Sequence, residues 1–180
     1  MRVRVNIYVL LIFSLLLSFS ANGQDSIQFQ KRLFKVQQQS TLVLSGWSVL
    51  NVGFSSLCTK NLFNPVTSSD FFHSGNFNWN QINIGLAGIG YYSLYRSSKK
   101  NWTIPELNLR KKRLERGLIF NIALDVIYIA SGVLLKYATN PNDTINYPSF
   151  QGGGNSLIVQ GGFLLIFDSI YLRRLKRIKY

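Results

Sequence analysis

Two aspartates, Asp125 and Asp168, stand inside long apolar runs, "GLIFNIALDVIYIASGVLLKY" and "SLIVQGGFLLIFDSIYL". A lone charge in such a run is costly in hydrocarbon, so it demands a partner or a function. Each is followed three residues later by a tyrosine, Tyr128 and Tyr171, which on a helix brings a hydroxyl to the same face. One reading is a proton, cation or ligand site. The other is structural, each carboxylate accepting hydrogen bonds from Asn, Tyr or Trp or pairing with Arg116, Arg173 or Arg174. The single histidine, His73, opens a stretch crowded with amides, "FHSGNFNWNQINIG". With one aspartate it cannot complete a zinc site, which needs several ligands. No metal or cofactor is therefore expected, and His73 reads better as a hydrogen bonder at a helix entry beside Asp70.

The amides are not scattered. His73, Asn76, Asn80, Asn83 and Ala87 are spaced 3, 4, 3 and 4, which places them on one helical stripe opposite Ile82, Leu86 and Ile89. Trp47 and Asn51, continued by Ser55 and Cys58, form a second stripe. Asn121, Asp125, Tyr128 and Gly132 form a third, and Gly161, Leu164, Asp168 and Tyr171 a fourth. Amides without partners are costly in hydrocarbon, so these faces are expected to turn inward. The stretches Trp47 to Gly53 and Trp79 to Gly85 both read W-x-x-[LI]-N-[VI]-G, which suggests Asn51 and Asn83 as matched halves of one contact. "LDVIYI" and "FDSIYL" echo each other as well. An old duplication of helices and chance both account for motifs this short.

Four elements must position these residues. The segments lie at about 40–57, 77–95, 117–137 and 156–172, each close to the roughly 20 residues that cross a hydrocarbon core. The expected fold is all-α, a four-transmembrane-helix bundle over residues 24–180 with a polar interior seam. Between the segments lie a neutral loop (Thr59 to Asn76), a basic loop (Arg96 to Arg116) and a loop (Ala138 to Asn155) with the breaker signals "NPND" and "QGGG". Up-down connections place Asp125 and Asp168 in the half of the bundle near the basic segments. Composition agrees with a membrane setting: 47% hydrophobic and only 15% charged, against roughly 25% charged in soluble domains. A soluble four-helix bundle is the alternative, but the third segment is apolar almost all round.

Residues 1–23 read as a signal peptide, with Arg2 and Arg4 before the apolar "VLLIFSLLLSF" and small residues at "SANG". An uncleaved first anchor is the competing reading. The net charge of +13 is carried mostly by the basic loop and the tail "RRLKRIKY". These charges flank apolar segments, so Arg110, Lys111, Lys112, Arg113, Arg116, Arg173, Arg174, Lys176 and Arg177 are expected to contact anionic lipid headgroups, not nucleic acid. An inner, cytoplasmic membrane is the expected location. Orientation is contested. Basic loop and tail share one side, which the positive-inside rule makes cytoplasmic; four spans then put residue 24 there too, whereas a cleaved export signal puts it outside.

The pattern Gly46, Trp47, Asn51 followed by Phe72, His73, Asn76, Trp79, Asn80, Asn83 resembles an uncharacterised family of small bacterial membrane proteins, with Ser48 and Gly75 where that family carries alanine and methionine. The resemblance implies a helical membrane protein and supplies no activity. The chain is expected to be a non-enzymatic structural or accessory membrane protein, with a membrane-protein partner or a second copy of itself as candidate associates. The alternatives are a small transporter or channel-like protein using Asp125 and Asp168, or a membrane enzyme with His73 or an aspartate as acid or base.

Overall fold

The computed structural model describes residues 7–179, with side chains described from residue 26 onward. The expected signal peptide, residues 1–23, lies outside the residues with described side chains. Four helices follow one another: α1 (Ile7–Cys58), α2 (Ser68–Ser98), α3 (Ile104–Ala138) and α4 (Tyr147–Lys176). Each contains one of the four apolar segments and runs past it into stretches read as loops. The basic stretch Arg96 to Arg116 is mostly helix, because Thr103 caps α3 there. The Thr103 hydroxyl accepts from the Glu106 backbone N–H, and the Glu106 carboxylate accepts from the Thr103 N–H. Pro105 follows in the first turn, where its missing N–H costs nothing. Thr67 and Asp70 form the same reciprocal cap at the start of α2.

Antiparallel pairs join α1 to α2 and α3 to α4, while α2 and α4 lie side by side and parallel. Contacts of α1 with α3 and α4 are slight, and α2 and α3 make no close backbone approach among the described residues. The helices therefore run across the bundle in the order α1, α2, α4, α3, with a cleft between α2 and α3. The connections place the start of α3, the ends of α2 and α4 and the Phe29–Phe34 part of α1 at one end, where an apolar cluster joins them.

That cluster comprises Phe29, Leu33, Phe34, Leu94, Leu107, Leu118, Leu175 and Ile178. Its exterior carries Lys31, Arg32, Lys35, Arg96, Lys99, Lys112 and Arg113, all exposed. Farther along the bundle the polarity reverses. Ser48, Ser55, His73, Asn76, Asn80, Asn83, Asp125, Ser156, Gln160 and Asp168 are buried, whereas Leu50, Leu57, Ile89, Phe120, Leu134 and Ile166 are exposed. One end is thus built like a water-soluble protein. The rest is built inside out.

Among the described residues, three helical stretches are long and apolar enough to cross a membrane: Ser26–Cys58, Ile104–Ala138 and Tyr147–Lys176. Of the four segments expected to cross, three meet this measure of length and hydropathy. Helix α2 has the length but not the hydropathy, because Asn76, Asn78, Asn80, Gln81 and Asn83 crowd its first half.

Candidate functional site

The seam is organised around Asn76. Its Oδ1 accepts hydrogen bonds from Ser156 Oγ at 3.0 Å and Gln160 Nε2 at 2.9 Å. Gln160 Oε1 in turn accepts from Trp47 Nε1 at 3.2 Å. One chain of polar contacts so ties α1, α4 and α2 together. The Trp47 ring lies flat on Phe163, centroids 3.9 Å apart, which fixes the direction of its N–H. Asn80 donates from Nδ2 to the Asn76 carbonyl at 2.8 Å, one turn back on its own helix.

The anticipated Asn51–Asn83 contact is not formed. Asn51 Nδ2 donates to the Trp47 carbonyl of its own helix at 2.9 Å, and Asn83 Nδ2 makes no hydrogen bond to the protein. The two halves of the repeated motif are used differently: Trp47 reaches across to α4, while Trp79 packs edge-on against Tyr128 of α3, centroids 4.9 Å apart, with its Nε1 unpartnered. His73 also departs from expectation. It does not bond Asp70 but lies among aromatic rings, 5.1 Å from Phe72 and 5.8 Å from Phe54. Asp70 instead gathers the preceding loop. It accepts from the Thr59 hydroxyl, from Thr67 N at 3.0 Å and Oγ1 at 2.9 Å, and from Asn61 Nδ2 at 3.4 Å. The Thr59 hydrogen bond, followed by those from Thr67, holds its carboxyl well below the usual carboxylate range. Cys58, expected to turn inward on the second stripe, is exposed.

The two buried carboxylates, Asp125 and Asp168, lie at the α3–α4 interface. Asn121 and Asp125 both lie near enough to Asp168 to act on its carboxylate. Glycine makes this approach possible: a Cβ at Gly161 would lie 3.0 Å from the Asp125 carbonyl oxygen and 2.9 Å from the Ile129 side chain. Among the described residues the ion pairs are Lys100–Glu106 and Lys111–Glu115, so neither aspartate pairs with Arg116, Arg173 or Arg174. Asp125 Oδ2 has no hydrogen-bond partner in the protein. Asn121 itself is exposed, not interior as its stripe implied, because α2 stands away from α3 at this level. It lines an open cavity of about 700 Å³ in the cleft, together with Ser93, Arg110, Arg113 and half-buried Tyr171.

The basic residues divide into two sets. Arg110 donates to Ser97 Oγ at 2.9 Å and to Gln37 Oε1 at 3.1 Å, and stacks over Phe34 and Trp102. Lys111 donates to the Ile178 carbonyl at 2.8 Å, and Arg174 donates to Gln39. These three fasten helices to one another. Lys112, Arg113, Arg116, Arg173, Lys176 and Arg177 are exposed.

Gln160 and Ser156 were missed at the sequence level. The signal for them is the four-residue spacing of Ser156, Gln160, Leu164 and Asp168, a second polar line beside the one drawn through Gly161. Chemically, the seam offers hydrogen-bonded cross-links between helices and a carboxylate pair without a cation, beside an open cleft.

A family model described as a family of unknown function (DUF6992) matches residues 43–169, and the chain belongs to that family. No curated protein and no solved structure matches it.

Proposed function

We propose that this member of a family of unknown function is a multi-pass protein of the bacterial inner membrane with a structural or accessory role. Its interior amides hold four helices in register and do not turn over a substrate. The observation that carries this reading is the reversal of polarity along the bundle: amides and carboxylates inside with leucine and phenylalanine outside over most of the length, and the opposite arrangement only at the basic end. Apolar side chains facing outward over a band of helix are at home in lipid and a liability in water. Helix α2 crosses because α1 and α4 cover its amide face. Six of the nine candidate headgroup contacts, Lys112, Arg113, Arg116, Arg173, Lys176 and Arg177, are free to meet lipid. Membranes carrying the protein, washed with alkaline carbonate, should retain it. Recovery of a soluble monomer without detergent would end this reading.

The carboxylate pair supports a second reading, a small transporter or channel-like protein. Asp125 and Asp168 lie together without a basic partner, and Asn121 connects them to the open α2–α3 cleft. Structural carboxylates would be expected to find cations or a full set of donors. In liposomes, Asp125→Asn with Asp168→Asn should preserve the fold and abolish ion or proton flux if the pair carries transport. Unchanged leak in wild-type and variant vesicles leaves the structural role alone.

A further inference from the structure

A groove of about 730 Å³ runs between α1 and α2 at the basic end. Its floor is apolar, made by Phe34 and Leu94 of the buried cluster. Lys31 and Lys35, one helical turn apart and both exposed, form one wall, and Tyr91 and Tyr95 form the other. No acidic residue lines it. Lys100, at its outer end, is already committed: its Nζ pairs with Glu106 at 3.3 Å and sits over the Trp102 ring at 4.5 Å. That end is closed where Gln30 Nε2 donates to the Lys100 carbonyl at 3.3 Å. Farther along the same two helices, beyond Gln38 and Tyr91, the exterior is apolar, with Leu42, Val43, Leu86 and Ile89 exposed.

Its depth coincides with the level where the outside of the bundle changes from apolar to basic. Tyrosines collect at that level in membrane proteins, with ring in the lipid and hydroxyl in the headgroups. Two uncommitted ammonium groups just above two tyrosines, over an apolar floor, complement a negatively charged phosphodiester whose acyl chains lead downward.

We propose that the α1–α2 groove binds one anionic phospholipid, its phosphate held by Lys31 and Lys35 and its glycerol region against Tyr91 and Tyr95. This rests on the membrane reading above but not on the role of the polar seam. It also differs from general attraction of the basic loop and tail to lipid, because it assigns one site to two lysines outside both.

Native mass spectrometry of the full chain, released from detergent micelles doped with phosphatidylglycerol or phosphatidylcholine, tests it. The expected result is one retained phosphatidylglycerol and no retained phosphatidylcholine. Lys31→Gln with Lys35→Gln should lower that retention about thirtyfold, corresponding to about 1 kcal/mol per interfacial lysine. Lys60→Gln with Lys179→Gln, equal in charge but outside the groove lining, should leave it unchanged. Equal loss in both double variants, equal retention of the two lipids, or binding of inorganic phosphate in lipid-free micelles at the same lysines would each overturn the proposal. Carbonate resistance, measured on the same variants, reports separately on whether the chain is in the membrane at all. Both lysines are exposed, so the substitutions spare the fold.

Discussion

Asn76 illustrates how much a single amide can organise. It accepts from two residues of α4, each some eighty positions away in sequence, and its own carbonyl accepts from Asn80. Interhelical polar contacts in membranes average about 0.6 kcal/mol. Asn76→Leu removes two of them and strands two buried donors, so it should destabilise the bundle by about 1–2 kcal/mol. Asn51→Leu removes only a bond within α1 and should cost under about 0.5 kcal/mol. Unfolding in mixed micelles distinguishes them; equal losses would contradict the assignment of Asn76 as the hub. The inward stripe of His73, Asn76, Asn80 and Asn83 was legible because spacings of three and four admit one helical face. Its partners were not, since a periodicity states which side of a helix is polar but not which neighbour lies opposite. Asn121 shows the same limit: its stripe implied an interior place, and its exposure follows from the separation of α2 and α3, which no local pattern encodes.

At the scale of elements, glycine was misread as a breaker and is used as a contact. A Cβ at Gly152 would fall 2.2 Å from the Ser68 carbonyl oxygen and 2.8 Å from the Phe72 backbone nitrogen, while at Gly154 it would fall 2.7 Å from the Gly132 carbonyl oxygen. Helix α4 is thereby wedged against α2 on one side and α3 on the other. Gly153, between them, would meet nothing within 4 Å. Gly152→Ala must push backbone apart and should cost about 1–3 kcal/mol. Gly153→Ala should be neutral or slightly stabilising, because alanine favours the helix by up to about 1 kcal/mol. Thermal unfolding of the pair in detergent checks this, and a neutral Gly152→Ala would mean that α2 and α4 are not in close contact. The four helices were readable from apolar runs near 20 residues long. Their extensions were not, because capping by Thr67 and Thr103 and helix-on-helix burial of glycine lie outside what hydropathy reports.

For the whole molecule, the exchange of inside and outside polarity along one axis marks where, on the membrane reading proposed above, the bilayer ends. Helix α2, at 31 residues, is about 46 Å long, well beyond the ~30 Å of hydrocarbon, so its last turns emerge among the basic residues. The positive-inside rule assigns that end to the cytoplasm. Reporters placed at Asn61, in the turn before α2, and at Asn101, just after it, should label from opposite faces, with Asn101 cytoplasmic. Labelling of both from one face would show that α2 does not cross. Three helices apolar enough to cross a membrane were legible as apolar runs. The place of α2 beside them was not, because a segment that relies on its neighbours has no hydropathy of its own to announce it.

That reliance has a consequence in time. The partners of Asn76 are 80 and 84 residues farther along the chain. At 5–20 residues per second of synthesis, roughly 4 to 17 s pass between the appearance of α2 and the arrival of Ser156 and Gln160. During that interval α2 has only α1 to shelter it. The nascent chain is then a hairpin with an unfinished amide face, and whatever holds such a face in the cell, insertion machinery or a waiting chaperone, has a window of several seconds in which to do so.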